Sequence, residues 1–135
     1  MILVDSNVLI DIIEGDDAWC DWSSASLAAA SEVDALGVTP VVVAEVGPNF
    51  RSLDVFYEEI GRLGITVDPL TDEAAFLAGQ AFRRHRRFRE GPKSILADFL
   101  IGGQAEAVGA TILTRDPAIY AAYFPELTLI TPAKA

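Results

Sequence analysis

The sequence predicts an α/β protein in which helices cover both faces of a central, mainly parallel five-stranded sheet. Short apolar segments with strand character recur along the chain, and segments with helical character separate them. Strands that alternate with helices form βαβ units, whose right-handed crossovers place helices on both sides of the sheet. No repeat, low-complexity tract or change in composition marks a boundary. We therefore expect one domain over residues 1–135.

Apolar segments with the length of buried strands mark the predicted sheet. Ligands of such sheets bind in the crevice outside the carboxyl ends of the strands, so polar residues just after a strand are the first candidates for a site. The segments are MILVD at residues 1–5, ALGVT at 35–39, GITVD at 64–68, ATILT at 110–114 and LTLIT at 127–131.

The first predicted helix follows the first strand. Asn7, Asp11 and Glu14 share one face of it and apolar residues fill the rest, so we expect Asp11 to be solvated. Residues 16–35 and 52–63 also have helical character.

Capping signals mark the ends of other helices. Thr39-Pro40 and Asp116-Pro117 each combine an N-cap with a proline at the first helical position. Gly91-Pro92 ends one helix, and Ser94 can cap the next.

Composition limits the classes of function. Twenty acidic residues against ten basic ones give a net charge of -10, which disfavours sequence-independent binding to a polyanion. One cysteine and one histidine exclude an intramolecular disulfide and a Cys/His metal site. No apolar stretch is long enough to span a membrane, so we expect a soluble, cytoplasmic protein.

Half of the basic residues lie in one short segment, RRHRRFR at residues 83–89. This segment predicts a cationic patch on an acidic body, most simply a solvated face with His85 on the surface.

Two acidic residues stand in segments where a charge is unexpected. PVVVAEV at 40–46 and SILADFLIG at 94–102 each predict a helix that is apolar on nearly all sides, with Glu45 or Asp98 in its middle. Burial of one unpaired carboxylate costs several kcal/mol, a large part of the stability of a small domain.

A basic partner, protonation or a bound cation would compensate such a charge. Only Arg115 and Lys93 lie near a predicted strand end or helix start, so a shared cation is favoured. The small residues Ser94 and Gly102, at helical spacing from Asp98, would let a ligand approach its carboxylate.

The acidic residues converge in this prediction. Asp5 ends the first strand, Ser6 and Asn7 turn short polar groups toward the same crevice, and Asp116 follows the strand ATILT. Ligation by Asp5, Glu45, Asp98 and Asp116 through oxygen alone selects a hard cation, Mg²⁺ or Mn²⁺.

Each acid also has a purely structural explanation. Asp5 and Asp116 would serve as helix caps, and Glu45 and Asp98 would meet water if their helix faces are assigned wrongly.

The acidic segments of this sequence resemble the motifs of a known family. ILVDSNVLI, the glutamate of TPVVVAEV, ADFLIGGQA and ILTRDPAIYAAYFP are similar to the four acidic motifs of PIN-domain ribonucleases, in the arrangement of bacterial VapC-type toxins. The resemblance runs from residue 1 to the final strand, and its specificity lies in the ordered set. It implies a PIN-like three-layer α/β/α fold and a Mg²⁺-dependent endoribonuclease that acts on RNA. It also implies a homodimer and a cognate VapB-type antitoxin that neutralises the toxin.

The resemblance also implies roles for single residues. Asp5, Glu45 and Asp98 would be the catalytic acids, with Asp116 as a more variable fourth, and Asp5, Asp98 and Asp116 would hold the metal. Ser6 stands where the family often has threonine, and Asn7 fits the pattern. We assign substrate contacts to Ser6, Asn7 and Arg115. A metal-activated water would hydrolyse the phosphodiester bond.

Two alternatives remain open. A phosphoaspartyl enzyme of the haloacid-dehalogenase type also begins with an aspartate at the end of its first strand. That family requires a second aspartate where this chain has Asn7, although Lys93 could stand for its lysine. A non-enzymatic interaction module would keep the acids only as a structural cation site.

Overall fold

Strands and helices alternate in the predicted order. The structure is a computed structural model that describes residues 1–86 and 96–133, so the signals at Gly91-Pro92, Lys93 and Ser94 and the end of the basic segment lie outside the described residues. The strands are β1 Ile2–Val4, β2 Leu36–Val38, β3 Ile65–Val67, β4 Thr111–Leu113 and β5 Leu129–Ile130. The helices are α1 Ser6–Glu14, α2 Cys20–Val33, α3 Pro40–Val46, α4 Leu53–Arg62, α5 Asp72–Arg86, α6 Leu96–Val108 and α7 Ala118–Tyr123.

All strand pairs of the sheet are parallel, and the strand order is β3-β2-β1-β4-β5. The prediction of a mainly parallel five-stranded sheet is confirmed. β1 lies in the centre, where Leu3 is in register with Gly37 of β2 on one side and Ile112 of β4 on the other. From β1 the chain first adds β2 and β3 on one side of the sheet, and it then returns to the other side of β1 to add β4 and β5. The order in which strands are added therefore reverses between β1 and β4.

Helices cover both faces of the sheet, as the three-layer α/β/α prediction requires. Ile2, Leu3 and Val4 are all buried, although successive side chains of a strand point to opposite faces. The strands read as continuous apolar runs for this reason. No helix in residues 1–86 and 96–133 combines the length and the apolar character needed to cross a bilayer.

Of the two predicted caps that precede a proline, one is confirmed and one is wrong. Thr39 caps α3 as expected, because its hydroxyl accepts a hydrogen bond from the backbone N–H of Val42. The predicted cap at Asp116 is wrong: α7 begins at Ala118, and its N-cap is Pro117, without a side-chain hydrogen bond. Asp116 therefore does not serve as the N-cap of α7.

The helix α6 packs closely against two neighbours, and its glycines explain how. A Cβ atom at Gly103 would overlap the backbone of α5 at Ala74 and Ala78, and one at Gly102 would overlap the ring of Phe124. The sequence-based explanation of Gly102, as space for a ligand beside Asp98, is wrong because Phe124 fills that space. Close packing of α6 fixes the position of Asp98 on that helix.

Candidate acidic site

Asp5 forms the centre of the site. It follows β1, its backbone N–H donates to the carbonyl of Leu113 in β4, and its side chain is only 2% exposed. The side chain also caps α1, because Oδ1 accepts a hydrogen bond of 2.7 Å from the backbone N–H of Ser6. The structural explanation of Asp5 as a cap is therefore correct, but several further donors also reach this carboxylate.

The Oδ2 atom of Asp5 accepts hydrogen bonds from three side chains. The hydroxyls of Thr114 and Tyr120 each donate to it at 2.9 Å, and the amide of Asn7 donates at 3.3 Å. A carboxylate has about four lone-pair positions. Oδ2 is therefore saturated by the protein, and Oδ1 keeps acceptor capacity.

Ser6 connects Asp5 with Glu45. Its Oγ lies 3.0 Å from Glu45 Oε1 and 3.4 Å from Asp5 Oδ1. Because a hydroxyl has one hydrogen, Ser6 donates to the nearer oxygen, that of Glu45. This contact joins the start of α1 to α3.

Glu45 is exposed and not buried as its apolar helix predicted. Only Val42 and Val46 of α3 are fully buried, because a short helix on a sheet buries one side and turns the other to water. Even so, the pKa of Glu45 is raised. Partial desolvation is the main cause and the charge of Asp5 adds to it, while the hydrogen bond from Ser6 acts in the opposite direction.

Asp98 is half-buried on α6. Its pKa rises to about 7, first because of desolvation and then because of the negative charges of Asp5, Glu45 and Asp116. Burial likewise raises the pKa of Asp5 despite its hydrogen bonds. The four acids from four segments therefore share one electrostatic environment, as the sequence predicted.

Within residues 1–86 and 96–133, no lysine or arginine forms an ion pair with any of these four acids. Arg115 pairs elsewhere, because its Nε lies 2.7 Å from Asp11 Oδ2 and its Nη2 lies 3.0 Å from Asp11 Oδ1. The prediction of a solvated Asp11 is wrong: its side chain is 2% exposed and also accepts a hydrogen bond from Ser23.

The donor set fits a hard divalent cation. Carboxylate oxygens without a basic partner among the described residues are the ligands that Mg²⁺ prefers. The described residues hold no group of three or more acidic, histidine or cysteine side chains already gathered for one ion. Mg²⁺ keeps several waters and uses one or two carboxylates, so it does not require such a group.

Two residues that hold Asp5 were missed by the sequence analysis. Thr114 is the last residue of the segment ATILT, and a short polar residue at a strand end was an available signal. Tyr120 is buried in α7, and nothing in its sequence surroundings distinguishes it from a core aromatic residue. Its hydroxyl pKa is raised well above the usual value, first by burial and then by the charge of Asp5.

The described part of the basic segment lies beside α6. Arg83 and Arg84 are exposed, and His85 is half-buried where a surface position was expected. The His85 ring lies 5.5 Å from that of Phe99, the neighbour of Asp98, and its Nδ1 lies 3.1 Å from the Tyr123 hydroxyl. His85 is thus part of an aromatic cluster.

The fold and the site together define an α/β protein with an acidic centre at the carboxyl edge of a parallel sheet. The chain belongs to the PIN-domain family, because the PIN domain profile matches residues 2–125. It is 34% identical over 116 residues to Ribonuclease VapC10 of Mycobacterium tuberculosis. The aligned region covers 84% of this chain and 81% of that protein. The resemblance to VapC-type ribonucleases is thereby confirmed.

Solved structures show the same fold. VapBC2 from Rickettsia felis, bound to a DNA fragment from their promoter, has a TM-score of 0.69 and 19% identity, and covers 97% of this chain and 98% of that one. A toxin-antitoxin complex from Klebsiella pneumoniae has a TM-score of 0.67 and 18% identity over the full length of both chains. The predicted PIN-like three-layer fold is confirmed.

The raised pKa of Asp98 predicts that the stability of the metal-free protein depends on pH. The folded pKa of about 7 lies above the ordinary value of 3.8, so the folded chain binds the proton more tightly than the unfolded chain. Stability falls as the pH rises between these values and stays low above pH 7. Asp98→Asn removes this penalty. In EDTA, we expect the variant to melt above the wild type at pH 8, by roughly 3 °C for each kcal/mol of desolvation and repulsion removed, with a smaller difference at pH 5.

Thermal unfolding followed by circular dichroism measures this difference. Asp54→Asn is the matched control, because Asp54 is exposed on α4 and lies outside the site. An equal effect of Asp98→Asn at both pH values would contradict the raised pKa of Asp98.

Proposed function

We propose that this protein is a Mg²⁺-dependent endoribonuclease toxin that hydrolyses RNA and that a cognate VapB-type antitoxin neutralises. The observation that carries the proposal is the convergence of Asp5, Glu45, Asp98 and Asp116 without a basic partner among the described residues. Membership in the PIN-domain family and the identity with a ribonuclease give this acidic centre its reaction class.

Asp5, Asp98 and Asp116 would hold the metal, with Mn²⁺ as a substitute for Mg²⁺. Oδ1 of Asp5 is the oxygen that retains acceptor capacity, while Thr114, Tyr120 and Asn7 keep the other oxygen in place. When bound, the divalent ion supplies a more acidic water and stabilises the charge that develops on the phosphate.

Glu45 is suited to accept a proton from the attacking water. It lies at the solvent-exposed rim, its pKa is raised, and the Ser6 hydroxyl orients Oε1 at 3.0 Å. A general base is most effective when its pKa approaches the working pH. Ser6 and Asn7 border the same acids, so they remain our candidates for contacts to the scissile phosphate.

Binding of RNA to a chain with a net charge of -10 requires a local source of positive charge. Arg83 and Arg84 are exposed near the end of α5, and the backbone carbonyl of Tyr123 accepts a hydrogen bond from Arg84. The α5–α6 packing brings this part of the basic segment toward the helix of Asp98. We propose that it contacts phosphates next to the cleaved bond.

Cleavage of total cellular RNA tests the nuclease proposal. We expect cleavage with Mg²⁺ or Mn²⁺, none with EDTA, and a loss of at least about 100-fold in Asp5→Asn and Asp98→Asn, because a cation ligand is removed. Gel analysis of the products measures the rate, and Asp54→Asn serves as the control with unchanged activity.

Cleavage by both site variants at the wild-type rate would reject the assignment of the acids. Hydrolysis of a generic phosphomonoester without RNA cleavage would support the phosphoaspartyl alternative instead.

An apolar groove beside α1 supports the antitoxin part of the proposal. It runs between α1, α3 and α4 with a volume of about 380 Å³ and continues toward α2 as a second hollow of about 230 Å³, because Ile12 and Leu63 line both. Ile13 and Leu63, at its edge, are each 42% exposed. The larger hollow is lined by Leu9, Ile12, Ile13, Val46, Phe50, Glu59, Ile60, Arg62 and Leu63.

We propose that an apolar segment of the antitoxin occupies this groove. The structural relative from K. pneumoniae is a toxin-antitoxin complex, and an open apolar groove of this kind is typical of peptide or helix binding. Neither Asp11 nor Arg115 lines either hollow, so occupation of the groove leaves this ion pair intact.

A charge in the groove is expected to block antitoxin binding. Leu63→Glu would weaken the affinity at least about 100-fold, because a carboxylate loses its water in an apolar contact. Isothermal titration with the antitoxin encoded beside this chain measures the change. Leu53→Glu is the matched control, since Leu53 begins the helix α4 that Leu63 caps at its other end, is 55% exposed and does not line the groove. Equal binding by both variants would contradict the placement.

The resemblance further implies a homodimer in the cytoplasm, and we include both in the proposal. Phe76 on α5 is 67% exposed, which is unusual for a phenylalanine and suits a contact between two copies.

A further inference from the structure

A partly buried ion pair between Asp11 and Arg115 lies beside the acidic site and connects three segments. Asp11 of α1 accepts two hydrogen bonds from the Arg115 guanidinium and one from the Ser23 hydroxyl of α2 at 2.8 Å. The guanidinium carbon also lies 5.5 Å from the ring centre of Trp19. Arg115 belongs to the loop between β4 and α7, so this pair joins that loop to α1 and α2.

The loop carries two residues of the acidic site. Thr114, just before Arg115, donates to Asp5, and Asp116, just after it, is one of the four coupled acids. The backbone of the loop is held as well, because the N–H of Arg115 donates to Asn7 Oδ1 and the N–H of Asp116 donates to Thr114 Oγ1. The Arg115 side chain therefore anchors a loop whose two neighbouring residues face the site.

We propose that the Asp11–Arg115 ion pair is a positioning device that fixes the 114–116 loop, and with it Thr114 and Asp116, relative to Asp5. Arg115 is then a positioning residue, and the phosphate contact first assigned to it is secondary. The bidentate geometry supports this role, because two parallel N–H donors fix direction as well as distance. The consequence for catalysis rests on the proposed nuclease function, whereas the consequence for the loop does not.

A merely structural brace between α1 and α2 would make a different prediction. The Ser23 hydroxyl connects the two helices through Asp11 without touching the loop. Ser23→Ala removes that connection and leaves the ion pair with Arg115 in place. Ser23 is fully buried, so this variant lowers the melting temperature and is the matched control for a loss of stability alone.

The test compares Ser23→Ala with the double variant Asp11→Asn with Arg115→Met. In the double variant no charge is left unpaired, the asparagine can still accept from Ser23, and the methionine retains an apolar side chain beside Trp19. Arg115→Lys is the second variant, which keeps the charge but loses the bidentate contact. It tests the positioning role if the double variant does not fold.

Three measurements separate positioning from stability. In the double variant we expect amide hydrogen exchange at positions 115 and 116 to accelerate about tenfold or more. We expect the Mn²⁺ affinity measured by calorimetry to fall about 10- to 100-fold. For RNA cleavage, we expect kcat to fall about 10- to 100-fold with KM unchanged. Arg115→Lys should give intermediate values, and Ser23→Ala should change none of them.

Wild-type exchange and Mn²⁺ affinity in the double variant would overturn the proposal, as would equal changes in Ser23→Ala. If the wild-type protein cleaves no RNA, the proposed function fails, but exchange and Mn²⁺ binding still decide the positioning role.

Discussion

The repulsion among four carboxylates at one edge of the sheet is the constraint on which the rest of the site depends. Desolvation raises the pKa of Asp98, and the charges of Asp5, Glu45 and Asp116 raise it further, to about 7. Such a cluster persists in a folded chain only if other interactions hold its members in place. Here the donors to Asp5 and the close packing of α6 provide that hold.

The topology of the sheet explains why the acids meet. β1 and β4 are neighbours at the point where the strand order reverses, so the residues after these strands face one crevice. Asp5 follows β1, and Thr114 and Asp116 follow β4. The helices α3 and α6 then bring Glu45 and Asp98 to the same place from separate parts of the chain.

The two buried acids Asp11 and Asp5 differ in whether a basic side chain neutralises their charge. This contrast supports a cation site. Asp11 is almost fully buried and has a guanidinium with two hydrogen bonds, so its charge is neutralised by the chain itself. Asp5 is equally buried and has only neutral donors within the described residues. Neutral donors orient a carboxylate but leave its charge, and that remaining charge is what a divalent ion would balance.

The parallel sheet and the convergence of the acidic residues could be predicted from the sequence. Strand length, apolar composition and the position of Asp5 and Asp116 after strands are all local features of the chain. The sequence was insufficient where a side chain makes a distant contact. Asp11 looked solvated because its partner Arg115 is 104 residues away, and Tyr120 reaches Asp5 across 115 residues. Gly102 looked like space for a ligand because its contact with Phe124 arises only when α6 is packed.

The most direct test of the central claim is isothermal titration calorimetry of the metal-free protein with Mn²⁺ at pH 8. The claim that these carboxylates form one cation site predicts saturable binding in the wild type, and a loss of that binding in Asp98→Asn. A wild-type protein that binds no Mn²⁺, or an Asp98→Asn variant that binds it equally well, would contradict the claim.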